Sequence, residues 1–158
     1  MDLSGRTAAG RTGGSDAPAA VGLTPGREAL VAFEDRDDAG LLRLLRPGFR
    51  HCFCLTGAGR RWTLCDPLKS RVALAAVDGA DALELAAHLR EGGRRRILHG
   101  PVAPETAAAW PRARPITCVE IVKRLVGVEA AGVVTPHQLY RRLLRGGPTG
   151  GGFVEIGG

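Results

Sequence analysis

The clearest pattern of apolar and polar positions lies in residues 50–66, where two runs rich in aromatic, β-branched and cysteine residues flank a short GAGR segment. This pattern is typical of a β-hairpin with a tight turn. If the turn is centred on Ala58 and Gly59, His51 lies directly opposite Asp66. Because directly opposed residues point to the same side of a sheet, we expect the hairpin to set an imidazole beside a carboxylate.

Other apolar runs predict three more strands, at residues 29–33, 71–77 and 95–99. Helical spacing follows Asp37 or Asp38, either of which can cap a short helix that stops at Pro47-Gly48. Apolar residues also recur at helical spacing in residues 80–90. The expected packing stripe of this helix consists of Leu83, Ala86, Ala87 and Arg90, widened by Leu85 and Leu89. The order of elements predicts an α+β fold, with an antiparallel sheet of four to five strands packed against helices.

Two further helices have clear start and stop signals. Thr117 can cap a helix that begins at Cys118 and ends at Gly127. On this helix Cys118, Ile121, Val122 and Leu125 share a face, so we expect the thiol to point inward. The last helix is capped by Thr135, with Pro136 at its first position and Gln138 closing a capping box. Its expected buried residues are Leu139, Tyr140 and Leu143.

The chain of 158 residues is long enough for one domain with a core. Residues 1–26 are dominated by small and turn-forming residues, which predicts a disordered arm. Residues 27–145 are the expected single domain. Residues 146–158 are rich in glycine and predict a flexible tail that carries a short apolar FVEI segment.

The net charge of +6 comes almost wholly from arginine. A positive net charge permits nucleic acid or an anionic cell-envelope polymer as a partner. Nucleic acid is the less favoured of the two, because the arginines at 94–96 and 141–142 lack interleaved aromatic residues. No apolar run approaches the ~20 residues of a membrane span, and the N-terminus has no secretory signal pattern. We therefore expect a cytoplasmic protein without membrane contact.

Cys118 is the first candidate for chemistry. A thiol in the first turn of a helix meets unpaired N–H groups and the positive end of the helix dipole, which favour the thiolate. The helix start at Thr117 and Cys118 could also stabilise an oxyanion. The alternative is that Cys118 is a small apolar core residue. His51 could equally be a core histidine bonded to a nearby carbonyl, and Asp66 could simply open an Asp-Pro turn.

The other histidines carry weaker signals. His88 falls on the exposed side of a helix and His137 at a helix start, where solvent is expected. His99 ends a strand beside a proline-rich loop, so it is a reserve polar residue near the site.

The other three cysteines are expected on the hairpin face opposite His51, with Cys52 facing Cys65 and Cys54 beside them. Their spacing matches no strong zinc pattern, so we predict buried apolar residues and no metal or other cofactor. A disulfide between Cys52 and Cys65 would form only in an oxidising setting.

A histidine that opens a hairpin (FRHCFCL), a polar residue on the next strand, and a cysteine that starts a later helix (ITCVEIVKRLVG) occur in this order. The outline resembles the circularly permuted papain-like cysteine hydrolases related to NlpC/P60, over roughly residues 48–127. The resemblance implies a papain-like fold with Cys118 as nucleophile, His51 as base and Asp66 as orienting residue. The chain departs from the family pattern in Cys52, where a small residue such as Gly is common, and in the final TPHQLYRRLL helix.

Proteins with this outline include peptidoglycan amidases and endopeptidases, acyltransferases and deubiquitinase-like enzymes, so the outline leaves the substrate open. The resemblance implies a thiol-dependent hydrolase of amide bonds, with bacterial cell-wall peptides as candidate substrates and a phage-like particle as candidate carrier. Two alternatives stay open. One is a catalytically silent structural or interaction module with the same fold, and the other is a basic nucleic-acid-associated protein.

Overall fold

The computed structural model describes residues 26–36, 41–103, 116–146 and 152–157. The expected arm at 1–26 lies outside this part of the chain except for its last residue, and so do the expected caps Asp37 and Asp38. The elements are β1 (Glu28–Glu34), a 3₁₀ turn (Leu41–Leu44), β2 (His51–Ala58), β3 (Arg61–Pro67), β4 (Val72–Asp78), α1 (Ala82–Glu91), β5 (Arg96–Pro101), α2 (Cys118–Val126), α3 (Pro136–Arg145) and β6 (Val154–Glu155).

The strands form one open antiparallel sheet in the order β4-β3-β2-β1-β5-β6. This confirms the predicted α+β class and the antiparallel sheet, with one strand more than the four to five expected. The central strand β1 is buried from Ala29 to Glu34, because it has a neighbouring strand on each side and helices over both faces.

The additional strand comes from the segment predicted to be a flexible tail. Val154 pairs with His99 of β5, and the Phe153 ring is buried in the core. The Phe153 ring packs against the main chain at Gly100, where a Cβ atom would stand 2.6 Å from the ring. The tail prediction is therefore wrong for residues 152–157, because apolar burial of one ring outweighs the flexibility of the flanking glycines.

Side chains of the sheet alternate between two apolar clusters. Val31 and Phe33 face the cluster that α2 and α3 cover, whereas Leu30 and Ala32 face α1. The buried face of α1, which Asp81 caps, agrees only in part with the predicted stripe. Leu83 is 64% exposed, and the buried residues are Ala82, Leu85 and Ala86.

The predicted limits of α2 and the predicted start of α3 are confirmed. Thr117 caps α2 and Gly127 ends it in a left-handed conformation, and α3 has the predicted capping box. Leu139, Tyr140 and Leu143 are buried as expected. None of the described helices combines the length and the hydropathy needed to cross a membrane.

The packing face of α2 differs from the expected one. Leu125 is 36% exposed, and the buried apolar residues are Val119, Val122 and Val126. Cys118 therefore lies at the margin of the buried stripe and is only partly buried.

Candidate functional site

The β2–β3 hairpin has a different register from the predicted one. Ala58 pairs with Arg61 and Leu55 with Leu64, so the turn consists of Gly59 and Arg60. Gly59 adopts a φ of 59°, a left-handed conformation that glycine reaches without strain. The expected direct opposition of His51 and Asp66 is therefore wrong by two residues.

A shift of two residues preserves the side of the sheet to which each residue points, since side chains alternate with a period of two. His51 and Asp66 consequently remain on one face as diagonal neighbours, within reach of each other. Nε2 of His51 lies 2.6 Å from Oδ1 of Asp66. The predicted contact between imidazole and carboxylate is confirmed although the predicted register is not.

The strands that carry this pair separate at the site. Pairing between β2 and β3 ends at Cys54 and Cys65. Beyond that point β2 continues beside β1 as far as His51, and β3 continues beside β4 as far as Pro67. We call this divergence of residues 51–53 from residues 66–67 the strand fork. Along these residues the main chain of β2 has no ladder partner on the β3 side.

The first residue of α2 reaches the fork. Cys118 is hydrogen-bonded to the side chains of His51 and Cys52 and to the main chain of Cys52. Because Asp66 engages Nε2 of His51, Nδ1 is the ring nitrogen left for the thiol. The fork thus brings a thiol from the helix on one face of the sheet against a histidine that points to the other face.

The start of α2 adds a favourable local field. The Thr117 hydroxyl oxygen accepts a hydrogen bond from the main-chain N–H of Glu120 at 3.2 Å, which fixes Cys118 at the first helical position. The first N–H groups of a helix have no intrahelical acceptor and form the positive end of its dipole. A negative charge on Cys118 is therefore stabilised.

Several contacts lower the pKa of Cys118 to about 5. The hydrogen bond from the Cys52 thiol contributes most, and burial opposes it. Hydrogen bonds from His51 and from the main-chain N–H of Cys52, together with the charge of His51, contribute the rest. Burial by itself would lower the pKa of His51, but hydrogen bonds and charges of Cys118 and Asp66 outweigh it and raise that pKa. Both shifts favour the ion pair, a thiolate beside an imidazolium, over the neutral pair.

Cys52 is the member of the site that the sequence interpretation missed. Its thiol is fully buried. Burial first, and then the hydrogen bond to Cys118, raise the pKa of Cys52 well above its ordinary value. It therefore stays protonated and donates to the sulfur of Cys118. The available signal was its position directly after the proposed base, on the strand face opposite to His51.

The other hairpin cysteines have no comparable role. Cys54, not Cys52, pairs across the ladder with Cys65, which corrects the predicted pairing through the same shift of two residues. Burial raises the pKa values of both thiols. All four cysteines are free.

Asp66 has a second cationic neighbour. Nη2 of Arg36 lies 3.5 Å from Oδ2 of Asp66, and Nε of Arg36 lies 3.5 Å from Oε1 of Glu34. Glu34 also accepts a hydrogen bond from Nε of Arg95 at 2.6 Å. Arg36 therefore binds the Asp66 carboxylate through Oδ2, whereas His51 contacts Oδ1, and Arg36 is in turn held by Glu34. This support could not be predicted from the sequence, because it depends on the β1–β2 register.

The remaining predicted polar residues lie elsewhere. His99 pairs with Leu30 in the sheet, and its Nε2 lies 3.0 Å from Oε2 of Glu28, so it does not join the site as the expected reserve residue. Its strand is separated from His51 by the whole of β1, which the sequence could not indicate. His88 is exposed, as expected. Within the described residues, no group of three or more potential ligands is arranged to hold a metal ion.

Comparison of the chain with protein-family models, with curated proteins and with solved structures gives no match. The chemical interpretation of the site therefore depends on its own geometry and on the motifs quoted above.

Proposed function

We propose that this protein is a thiol-dependent hydrolase of amide bonds, with Cys118 as nucleophile, His51 as base and Asp66 as orienting residue. The observation that carries the proposal is the position of His51, whose Nε2 lies 2.6 Å from Oδ1 of Asp66 and whose pKa the neighbouring Cys118 thiol, at the N-terminus of α2, helps to raise. A base oriented by a third group and in contact with a nucleophile is the general arrangement of covalent catalysis by hydrolases.

The reaction follows from these positions. The Cys118 thiolate attacks the carbonyl carbon, and the carbonyl electron pair moves to the oxygen. As this oxyanion collapses, the C–N bond breaks and the imidazolium of His51 gives its proton to the leaving amine. Neutral His51 then removes a proton from water, which attacks the thioester and releases the acid and the Cys118 thiolate.

The helix start supplies the stabilisation of the oxyanion. The main-chain N–H of Cys118 belongs to the unpaired first turn, and Thr117 fixes the direction of that turn through its cap. Donors that are already oriented toward the developing charge are worth several kcal/mol in such sites. We assign this role to the main chain at Thr117 and Cys118.

For the substrate class we propose peptides, with bacterial cell-wall peptides as the first candidates and a phage-like particle as a candidate carrier. The support is the similarity of the FRHCFCL and ITCVEIVKRLVG segments to the permuted papain-like hydrolases, several of which cleave such amides.

The test uses thiol alkylation followed at each cysteine by mass spectrometry. Iodoacetamide at pH 6 should label Cys118 at least about tenfold faster than the three other cysteines, since only its thiol is largely ionised there. The His51→Ala variant should reduce this selectivity, because the hydrogen bond and the charge of His51 both lower the pKa of Cys118, and Cys65→Ala serves as the matched control that retains it. Slow and equal labelling of all four cysteines would contradict the proposal and favour a silent interaction module.

A further inference from the structure

A group of cationic side chains lies at the same end of the sheet as His51. Nη1 of Arg46 donates to Nε2 of His137 at 2.9 Å, so this imidazole acts as an acceptor. Arg141 follows His137 by four residues on α3 and therefore lies on the same side of that helix. Arg46 and Arg141 are both exposed.

A third guanidinium is fixed beside them by aromatic rings. Cζ of Arg96 lies 5.7 Å from the centroid of Phe49 and 5.5 Å from that of Tyr140. Nη1 of Arg96 donates to the Tyr140 hydroxyl at 2.9 Å, and the Phe49 ring lies 4.9 Å from the ring of His137. We call Arg46, Arg96, Arg141 and His137 the cationic cluster.

The described carboxylates nearby do not balance this charge. Glu155 lies 3.7 Å from Arg96 and accepts a hydrogen bond from the hydroxyl of Tyr140. Asp35 accepts from the main-chain N–H of Gly48 and pairs with Arg50 instead. Burial, and then the charges of Arg46, Arg141 and Arg96, lower the pKa of His137, which is consistent with a strongly positive local potential.

We propose that the cationic cluster binds a carboxylate of an acidic peptide whose amide bond is presented to Cys118. This inference rests on the proposed function and names its substrate class. Phe49 connects the two sites, because it precedes His51 by two residues and belongs to the apolar cluster against which Cys118 packs. Each guanidinium has five N–H donors, so the contacts of Arg46 with His137 and of Arg96 with Tyr140 and Glu155 leave further donors for a carboxylate.

One feature favours a peptide over a nucleic acid as the occupant, and a second favours tight binding of a carboxylate. Phe49 and Tyr140 are 6% and 8% exposed, so their faces are not open to stack bases. Arg46 and Arg96 are already oriented by their contacts with His137 and Tyr140, which reduces the entropy lost on bidentate binding of a carboxylate.

The test compares two peptidyl chloromethyl ketones that differ only in one residue, glutamate or glutamine, two positions from the reactive carbon. The glutamate reagent should alkylate Cys118 about tenfold faster at low salt, as a charge-assisted hydrogen bond predicts. The ratio of the two alkylation rates should fall toward one in Arg141→Gln and in Arg96→Gln. It should persist in Arg71→Gln, the matched control at an exposed arginine outside the cluster.

Iodoacetamide distinguishes the failure of this inference from failure of the proposed function. If this neutral reagent labels Cys118 selectively but the two peptide reagents react equally, the carboxylate site is wrong and the hydrolase proposal stands. If iodoacetamide also fails, both are wrong. Binding of a single-stranded oligonucleotide that is lost in Arg141→Gln, without a glutamate preference, would overturn the peptide in favour of nucleic acid.

Discussion

At the scale of single residues, the site depends on which groups donate hydrogen bonds to one sulfur. His51 was identifiable from the sequence because a histidine opposite a carboxylate on a hairpin has a recognisable pattern. Cys52 was not, because cysteine is among the residues most often buried as a small apolar group. Only the tertiary position of the α2 start turns this buried thiol into a donor for Cys118.

The contribution of Cys52 can be measured directly. Cys52→Ala should raise the pKa of Cys118 from about 5 by about one to two units, because a hydrogen bond to a charged group is worth about 1.5–3 kcal/mol. The rate of alkylation of Cys118 as a function of pH gives this pKa. Cys52→Ser, which keeps a donor, should shift it less, and an unchanged profile in Cys52→Ala would show that the contact has no electrostatic effect.

Removing the charge of Asp66 tests the other side of the imidazole. Asp66→Asn should lower the pKa of His51, because it removes a hydrogen bond and a charge that both raise it. The alkaline limit of the proposed peptide cleavage should move to lower pH with it. Titration of the His51 ring by NMR gives the measurement, and Asp78→Asn at the exposed end of β4 is the matched control. Equal titration curves in the two variants would argue against the orienting role.

At the scale of the elements, helix caps were the most predictable features. The limits of α2 and the start of α3 follow from local signals at Thr117, Gly127 and Thr135, which need no tertiary information. The buried face of α2 could not be predicted, because it includes Lys123. The ammonium of this residue donates to Glu120 and to the main-chain oxygens of two loop residues.

The β2–β3 hairpin, too, could be predicted only in part. Its existence and the face that each residue occupies follow from the alternation of side chains. The register does not, because a turn at Gly59-Arg60 and one centred on Ala58-Gly59 place the same residues on the same faces. The sequence also gave no indication that β2 and β3 part at the site.

The last strand provides a prediction for the stability of the sheet. Phe153→Ala should lower the free energy of unfolding by about 3–5 kcal/mol, the usual cost of removing a buried aromatic ring. Urea denaturation measures the change, and Val154→Ala, at a neighbouring position that is 60% exposed, is the control with a small expected effect. A loss below about 1 kcal/mol for Phe153→Ala would indicate that β6 is dispensable.

At the scale of the whole molecule, the ionised thiol links the site to the stability of the fold. The pKa of Cys118 is lower in the folded protein, about 5 against an ordinary value of 9.0. Its stabilising contribution is therefore complete above pH 9 and is lost as the pH falls toward 5. The contribution of His51, whose folded pKa is raised above 6.5, is complete below pH 6.5 and is lost as the pH rises through the raised value.

The difference in unfolding free energy between the wild type and Cys118→Ala should accordingly grow with pH above about 5. Its slope should not exceed about 1.4 kcal/mol per pH unit, and the difference should become constant above about pH 9, where the thiol is ionised in the unfolded chain as well. Denaturant unfolding at a series of pH values gives both curves. Cys65→Ala, whose thiol pKa is raised instead, should show no such growth between pH 5 and 7.

The strand fork has a consequence for how the reactivity of Cys118 depends on the fold. The Cys118 thiol comes from a helix, and the His51 imidazole and the Asp66 carboxylate come from the two separate arms of the hairpin, so no single segment holds all three groups. The cysteines of isolated peptides from either half of the chain would react as ordinary thiols. The rate at which Cys118 reacts with iodoacetamide at pH 6 can therefore be used to measure the fraction of natively folded protein, for instance during refolding or in a screen for stabilised variants.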